Sequence, residues 1–192
     1  PVRYVIRPIS DEYHDYRGYA GRVSSGVFKV GQDVSVLPGG LKTKIEAIDF
    51  AGKSLNQAIP SQSVTIRLKD DIDISRGSMI VDAENQPRQS QEIDLMICWL
   101  NEKPLVLRGK YLIKHTSSEM RCLITDVAYK VNINTTEEIY EDKHVGLNEI
   151  ARISIKTTKP IFFDSYRQNR DTGSLIMIDE ATNNVVGAGM II

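Results

Sequence analysis

Hydrophobic and polar residues alternate in short runs along most of the chain. The alternation is clearest in four runs, Val2–Pro8, Leu41–Ile48, Val64–Leu68 and Ala151–Ile155. A period near two places every second side chain on a buried face, so each run predicts a β-strand. Turn-forming residues separate the runs, at Ser25-Gly26, Val30-Gly31, Pro38–Gly40, Ala51–Lys53 and Asn183-Asn184. Many short strands at intervals of roughly 8–12 residues predict a β-sandwich or a β-barrel.

One segment departs from this pattern. Residues 134–143 read N-T-T-E-E-I-Y-E-D-K, with Asn134 placed to cap a helix and Glu137 three residues further on. This segment predicts a short helix on a β scaffold. The composition favours sheet elsewhere, because 38 isoleucines and valines stand against 21 leucines and alanines and branching at Cβ suits a pleated strand.

A polar segment interrupts the strand pattern near the middle of the chain. Residues 83–91 contain Pro87, lack periodicity and are flanked by apolar strands on both sides. We interpret this segment as an interdomain linker. The sequence therefore predicts an all-β protein with two tandem small β-barrels, residues 1–86 and residues 87–192. A closed barrel leaves no exposed sheet edge, so each part is expected to be a stable unit.

Charge and composition exclude several classes of function. The 192 residues carry 24 basic and 25 acidic side chains, a net charge of −1. Because no basic region is present, nucleic-acid binding is not expected. No apolar run approaches the roughly 18 residues that cross a bilayer, so no membrane association is expected. Cys98 and Cys122 are too few for a disulfide framework, and we expect reduced thiols in a cytoplasmic protein. Pro1 in place of methionine suggests a piece of a longer polypeptide.

The segment Ala47–Ser54, A-I-D-F-A-G-K-S, matches a loosened phosphate-loop pattern. That mechanism requires a strand, a glycine-rich loop and then a helix whose first amides face the phosphates. Here the first glycine is replaced by Ala47 inside a strand pattern, and Pro60 follows within two turns. A hairpin turn through Ala51–Lys53 explains the segment better than a nucleotide site.

The other polar clusters also lack the spacing that chemistry needs. Counted from Asp71, a calcium loop would have Arg76 where glycine is required and Asp82 where glutamate is required. His14, His115 and His144 have no second histidine or cysteine at ligand spacing. The sequence therefore predicts no catalytic residue, no cofactor-binding residue and no metal ligand in this chain.

Resemblance to a known family extends these expectations. Tandem barrels of this length, the turn D-I-S-R-G at Asp73–Gly77 and a glycine-rich final strand resemble domains two and three of elongation-factor-Tu-like GTPases. One branch is similar in more detail, the large GTPase subunit of bacterial ATP sulfurylase (sulfate adenylyltransferase). The segments that carry this similarity are Val5–Pro8, Asp15–Arg22, Lys29–Gly31, Leu147–Ile150, Pro160–Ser174, Ile178-Asp179, Thr182-Asn183 and Gly187–Ile191.

The sequence departs from that family at two local positions. Ser61 stands in Pro60-Ser61-Gln62 where the family usually has glycine, and Val185-Val186 replaces the more usual Thr-Val. If the turn at Ser61 needs a positive φ, serine strains it slightly.

The resemblance implies a role within a larger enzyme. It implies a GTPase domain upstream of Pro1 that holds GTP and Mg²⁺. It also implies a small partner subunit that makes adenylylsulfate from ATP and sulfate in sulfate assimilation. This chain would hold the GTPase domain and transmit its state, without activity of its own. The alternatives are the tRNA-binding barrels of a translation elongation factor and a free-standing β-barrel adaptor.

A coupling module acts through surfaces, so the candidate residues are of the types that anchor interfaces. They lie in two segments and are Tyr16, Arg17, Tyr19, Arg22, Tyr166, Arg167, Asn169 and Arg170. The same residues could instead shape turns within the barrels, and the sequence leaves both interpretations open.

Overall fold

The computed structural model describes residues 1–6 and 16–192. Every regular element in these ranges is a strand. A helix long and apolar enough to cross a membrane is not found in the described residues. The chain divides into two compact units, Pro1–Gln86 and Pro87–Ile192. The division lies inside the polar segment 83–91, although the first strand of the second unit already begins at Arg88.

The first unit is an antiparallel sheet with the strand order β1-β2-β8-β5-β4-β9; β6 pairs with β5, and β3 pairs with β7 separately. Its strands are β1 Val2–Ile6, β2 Gly18–Arg22, β3 Phe28–Lys29, β4 Asp33–Leu37, β5 Leu41–Phe50, β6 Lys53–Leu55, β7 Gln57–Ala58, β8 Ser63–Leu68 and β9 Met79–Asp82. Alternate residues of β5 and β8 point into one core. Ile80 of β9 and Ile66 of β8 line the same cavity of about 30 Å³, so the sheet curls until its last strand faces β8.

The second unit is a closed six-stranded barrel. Its strand order β11-β15-β16-β10-β14-β12 is completed by pairing of β12 with β11, and β13 extends β12. The strands are β10 Arg88–Trp99, β11 Lys110–His115, β12 Ser118–Val131, β13 Glu138–Ile139, β14 Ile150–Phe163, β15 Ser174–Ile178 and β16 Val185–Ile191. Inside the barrel, the rings of Trp99 and Tyr111 meet edge to face with centroids 5.6 Å apart.

The all-β prediction is confirmed. The alternating runs lie in β1, β5, β8 and β14, with the last two residues of the first run outside the described ranges. Neither Cys98 nor Cys122 forms a disulfide. Cys122 is buried in the barrel, and burial raises the pKa of its thiol to about 12.

The predicted helix over Asn134–Lys143 is wrong. The segment is the end of a β12–β13 hairpin, in which Glu138 and Ile139 pair with Val131 and Lys130. The side chain of Asn132 accepts hydrogen bonds from the amides of Asn134 at 3.0 Å and Thr135 at 3.4 Å. The hairpin is closed by the Asn132 amide, which donates to the Glu137 carbonyl at 2.9 Å. Thr136 then adopts a φ of 62°, which a right-handed helix cannot contain.

Candidate functional site

The phosphate-loop look-alike is a hairpin. Asp49 pairs with Ser54 across β5 and β6, and the two loop residues, Ala51 and Gly52, have φ values of 50° and 77°. Both values are positive, as a two-residue hairpin loop requires. The Ser54 hydroxyl donates to the Asp49 carboxylate at 2.9 Å. No helix follows, so these residues do not fit a nucleotide phosphate.

Asp70 and Asp71 of the 70–77 turn bind two different side chains and do not converge on one point. The Thr43 hydroxyl donates to Asp70 at 2.8 Å, and Asp71 forms an ion pair with Arg17. Within residues 1–6 and 16–192, no group of three or more histidine, cysteine, aspartate or glutamate side chains could hold a metal ion. His14 lies outside the described ranges, and His144 is exposed.

The first candidate surface lies on and before β2. Tyr19 is 2% exposed, and its hydroxyl donates to the Ile72 carbonyl at 2.7 Å. Arg17 donates to the same carbonyl at 3.3 Å, so both residues anchor the turn that contains Ile72. The Arg67 guanidinium lies 5.9 Å from the Tyr16 ring centroid. Arg22 is exposed and donates to the Ser61 hydroxyl at 3.3 Å.

The second candidate surface is the loop between β14 and β15, residues 164–173, which we call the 164–173 loop. The Asp164 carboxylate accepts from the Thr172 hydroxyl at 2.8 Å and from the Asn169 amide at 3.3 Å. The Asn169 side-chain oxygen accepts from the amides of Asp171 and Thr172. A Cβ at position 173 would lie 2.5 Å from the Tyr166 backbone, so the loop closes only with Gly173.

A buried histidine fixes the same loop from the adjacent strand β11. His115 Nε2 lies 2.7 Å from the Thr172 carbonyl oxygen. Because a carbonyl only accepts, this nitrogen carries a proton and donates it. Burial lowers the pKa of His115, partly offset by this hydrogen bond. The histidine is therefore held neutral as a structural donor.

The 164–173 loop presents a tyrosine and two arginines. Arg167 and Arg170 are exposed, and the Arg170 guanidinium lies 5.8 Å from the centroid of the partly exposed Tyr166 ring. Within the described part of the chain, Arg167 makes no hydrogen bond or ion pair. A rigid loop with these side chains is typical of a protein-binding surface.

Burial narrows the set of candidate residues. Tyr19 and Asn169 are buried inside their own units, where their side chains position neighbouring segments. A role of the candidate residues at an interface stays a prediction. Sequence reasoning missed Asp164 and His115 as supports of the loop. No local signal indicates His115, because its contact with Thr172 joins residues 57 positions apart.

Fold and surfaces together define a class of protein, an all-β module of two compact units, of which the second is a closed six-stranded barrel. Residues 92–192 match the family described as GTP-eEF1A C-terminal domain-like, and the chain belongs to this family.

Comparison with known proteins gives full-length similarity. The chain is 44% identical over its whole length to "Bifunctional enzyme CysN/CysC" of Mycobacterium tuberculosis, of which it covers 31%. It is 41% identical over its whole length to "Sulfate adenylyltransferase subunit 1" of Bacteroides fragilis, of which it covers 39%. The chain thus spans about a third of the length of these relatives. A crystal structure of sup35 complexed with GDP matches the whole chain with a TM-score of 0.86 at 15% identity, over 46% of that structure.

Proposed function

We propose that this chain is the β-barrel region of the GTPase subunit of a sulfate adenylyltransferase. The observation that supports the proposal is identity of 41% over the whole chain to a protein named sulfate adenylyltransferase subunit 1. In this role the chain connects a GTPase domain to a second, small subunit that makes adenylylsulfate from ATP and sulfate. We expect it to act in the cytoplasm.

GTP and Mg²⁺ belong to the GTPase domain of this proposal, outside the 192 residues. The closest match to a phosphate loop, Ala47–Ser54, is a hairpin whose serine is bonded to Asp49. In this proposal the chain itself holds the GTPase domain and transmits the nucleotide-dependent state of that domain to the small subunit. Two states of a GTPase affect another subunit only if the contacts between them differ in free energy between those states.

The side chains of the two candidate surfaces that are fully or partly exposed are suited to such contacts. On the first unit they are Tyr16, Arg17 and Arg22, and on the second they are Tyr166, Arg167 and Arg170. The arginines of the 164–173 loop stand on a backbone fixed by Asp164, Asn169 and His115. A rigid loop loses little conformational entropy on binding, so it transmits a change in a neighbouring domain rather than absorbing it.

The proposal is tested with the whole subunit and its small partner subunit. We expect co-elution in size-exclusion chromatography and adenylylsulfate synthesis that GTP stimulates. The double variant Arg167→Ala/Arg170→Ala should reduce GTP stimulation at least several-fold while GTP binding stays unchanged. Lys143→Ala, which removes an exposed ion pair with Asp126, is the control and should behave as wild type.

Two results would overturn the proposal. One is the absence of both complex formation and adenylylsulfate synthesis with the wild-type subunit. The other is tight binding of aminoacyl-tRNA, measured by filter binding, which would assign the barrels to a translation factor instead. GTP binding by the 192-residue chain alone would contradict the placement of the nucleotide in another domain.

A further inference from the structure

The outer face of the barrel in the second unit has two chemically different sides. On the side of β14, the outward residues are polar and paired: Arg152 binds Asp94 at 3.2 Å, and Lys156 lies 3.5 Å from Glu92. This is the ordinary pattern for a solvated sheet face. Glu92 and Asp94 belong to the first part of β10. From Met96 onward, and on the facing stretches of β16 and β15, most outward residues are apolar instead.

Strand register joins these apolar residues into one surface, which we call the outer apolar patch. Met96 pairs with Met190, Cys98 pairs with Ala188, and Ala188 pairs with Ile176 on the next strand. Their neighbours in sequence, such as Leu95, Ile97 and Leu175, point into the core. The outer apolar patch is therefore a second apolar layer on three adjacent strands, consisting of Met96, Cys98, Ile176, Ala188 and Met190.

The outer apolar patch is open to solvent in this chain. Met190 is 43% exposed, Ala188 is exposed, and Met96, Cys98 and Ile176 are partly exposed. Contiguous apolar surface of this kind on a folded domain marks a contact site for another molecule. Methionine side chains adapt their shape to an apolar partner, which suits a protein surface.

The 164–173 loop lies at one end of the patch and supplies charge. The Tyr166 amide donates to the Ile191 carbonyl at 2.9 Å, and Ser174, just after the loop, pairs with Met190. At the opposite side, the Lys114 ammonium is already paired with Glu119 at 3.4 Å. The arginines of the loop make no ion pair in the described part of the chain. Asp164 of the loop is bonded to Thr172 and Asn169, and Asp171 is exposed. The rim beside the patch thus presents these two arginines and one exposed carboxylate, an excess of positive charge that is complementary to carboxylates.

We propose that the outer apolar patch and the adjacent 164–173 loop together form the docking surface for the second subunit of the enzyme. The partner's surface would have an apolar centre that covers Met96, Ala188 and Met190, and carboxylates that meet Arg167 and Arg170. An apolar centre with a polar, arginine-bearing rim is the usual anatomy of a protein–protein interface. Nucleic acid is disfavoured as the partner, because charged phosphates would lose hydration against the apolar centre without a compensating contact. This inference rests on the proposed function.

Cys98 provides a direct probe, because it is a partly exposed thiol within the patch. The whole subunit is treated with iodoacetamide, with and without saturating small subunit, and alkylation at Cys98 is followed by peptide mass spectrometry. We expect the partner to slow alkylation of Cys98 at least tenfold. Cys122, buried in the core, should remain unmodified in both samples.

Variants test the same surface by affinity. Met190→Asp should weaken binding of the small subunit at least tenfold, because it places a carboxylate in the apolar centre. Ile133→Asp is the matched control, since Ile133 is 65% exposed on the distant β12–β13 hairpin, and it should bind as wild type. Thermal unfolding of both variants verifies that they fold.

Each outcome decides a different claim. If the subunits bind but Met190→Asp binds as wild type and Cys98 is not protected, the docking surface is wrong and the proposed function stands. If wild-type subunits neither bind nor make adenylylsulfate, the proposed function fails and the docking surface fails with it. Protection of Cys98 by RNA, or by raised concentration of the chain alone, would replace the proposed partner with nucleic acid or a second copy.

Discussion

At the scale of single residues, Ser61 illustrates how a sequence pattern becomes a conformational requirement. The turn Ile59–Gln62 has proline at its second position and Ser61 at its third with a φ of 72°, as in a type II turn. The sequence suggested that serine would be strained there if φ were positive, and the structure confirms the positive φ. A side chain costs about 1 kcal/mol or more in this region, whereas glycine does not.

Ser61→Gly should therefore stabilise the first unit. Relief of about 1 kcal/mol of backbone strain is partly offset by about 0.5 kcal/mol of extra chain entropy in the unfolded state. We expect a rise in Tm of about 2–4 °C by calorimetry. Ser61→Ala is the control, because it also removes the hydrogen bond from Arg22 but keeps the strain. A gain in Tm for alanine equal to that for glycine would contradict this explanation.

His115 should make stability depend on pH. Burial lowers its pKa in the folded state below the ordinary value of 6.5. The unfolded chain therefore binds the proton first as pH falls, and folding loses stability below about pH 6.5. His115→Gln retains an N–H donor for the Thr172 carbonyl but does not titrate. Urea unfolding between pH 7.5 and 5.5 should show that wild type loses more stability than this variant over that range; parallel losses would exclude the histidine as the cause.

At the scale of elements, hydrophobic periodicity predicted the strands because each alternating run has one face in a core. The same reasoning failed for residues 134–143, where no core face determines the outcome. There the backbone reverses at Thr136, whose φ is left-handed. The hairpin is held by pairing with Lys130 and Val131 and by the bond from the Asn132 amide to the Glu137 carbonyl. The strand that pairs with this segment lies outside it, so the helix propensity of residues 134–143 alone could not predict the hairpin.

The segment between β13 and β14 is held to β12 by ion pairs with one lysine, Lys130. The Lys130 ammonium lies 2.7 Å from both Asp142 and Glu149, and its side chain is 8% exposed. Burial lowers the pKa of Lys130, but the two carboxylates outweigh this effect and raise it. Burial likewise raises the pKa of Glu149, and the Gly146 amide with Lys130 outweighs it and lowers the pKa. The pKa of Asp142 is lowered by Lys130 and the His144 amide.

Lys130→Met should destabilise the second unit by about 1–3 kcal/mol, less than for a fully buried pair because both carboxylates are partly solvated. Carboxylates with lowered pKa values stabilise the fold above about pH 4, and this contribution is lost as pH falls through their folded pKa values. Wild type should therefore lose more stability than the variant between pH 5 and 3, measured by urea unfolding. Equal acid sensitivity would show that the ammonium does not set these pKa values.

At the scale of the whole molecule, the sequence predicted the all-β class of fold. The chain divides into its two units within the polar segment 83–91. The sequence predicted a closed barrel, but it could not show which strands close it. Strand β11 pairs with both β12 and β15, and the second pairing joins distant parts of the sequence. The outer apolar patch was missed for the same reason. Met96, Ile176 and Met190 look like ordinary strand residues until the register places them side by side.

Each unit has its own hydrophobic core, so we expect residues 87–192 to fold alone. The core of the second unit consists only of residues between Ile93 and Ile191, and every pairing of its six closed strands lies within the unit. A barrel without a free edge does not need a neighbour to satisfy its backbone. The excised segment should therefore give a β-type circular dichroism spectrum and one cooperative thermal transition. A spectrum without that transition would show that its packing depends on the first unit.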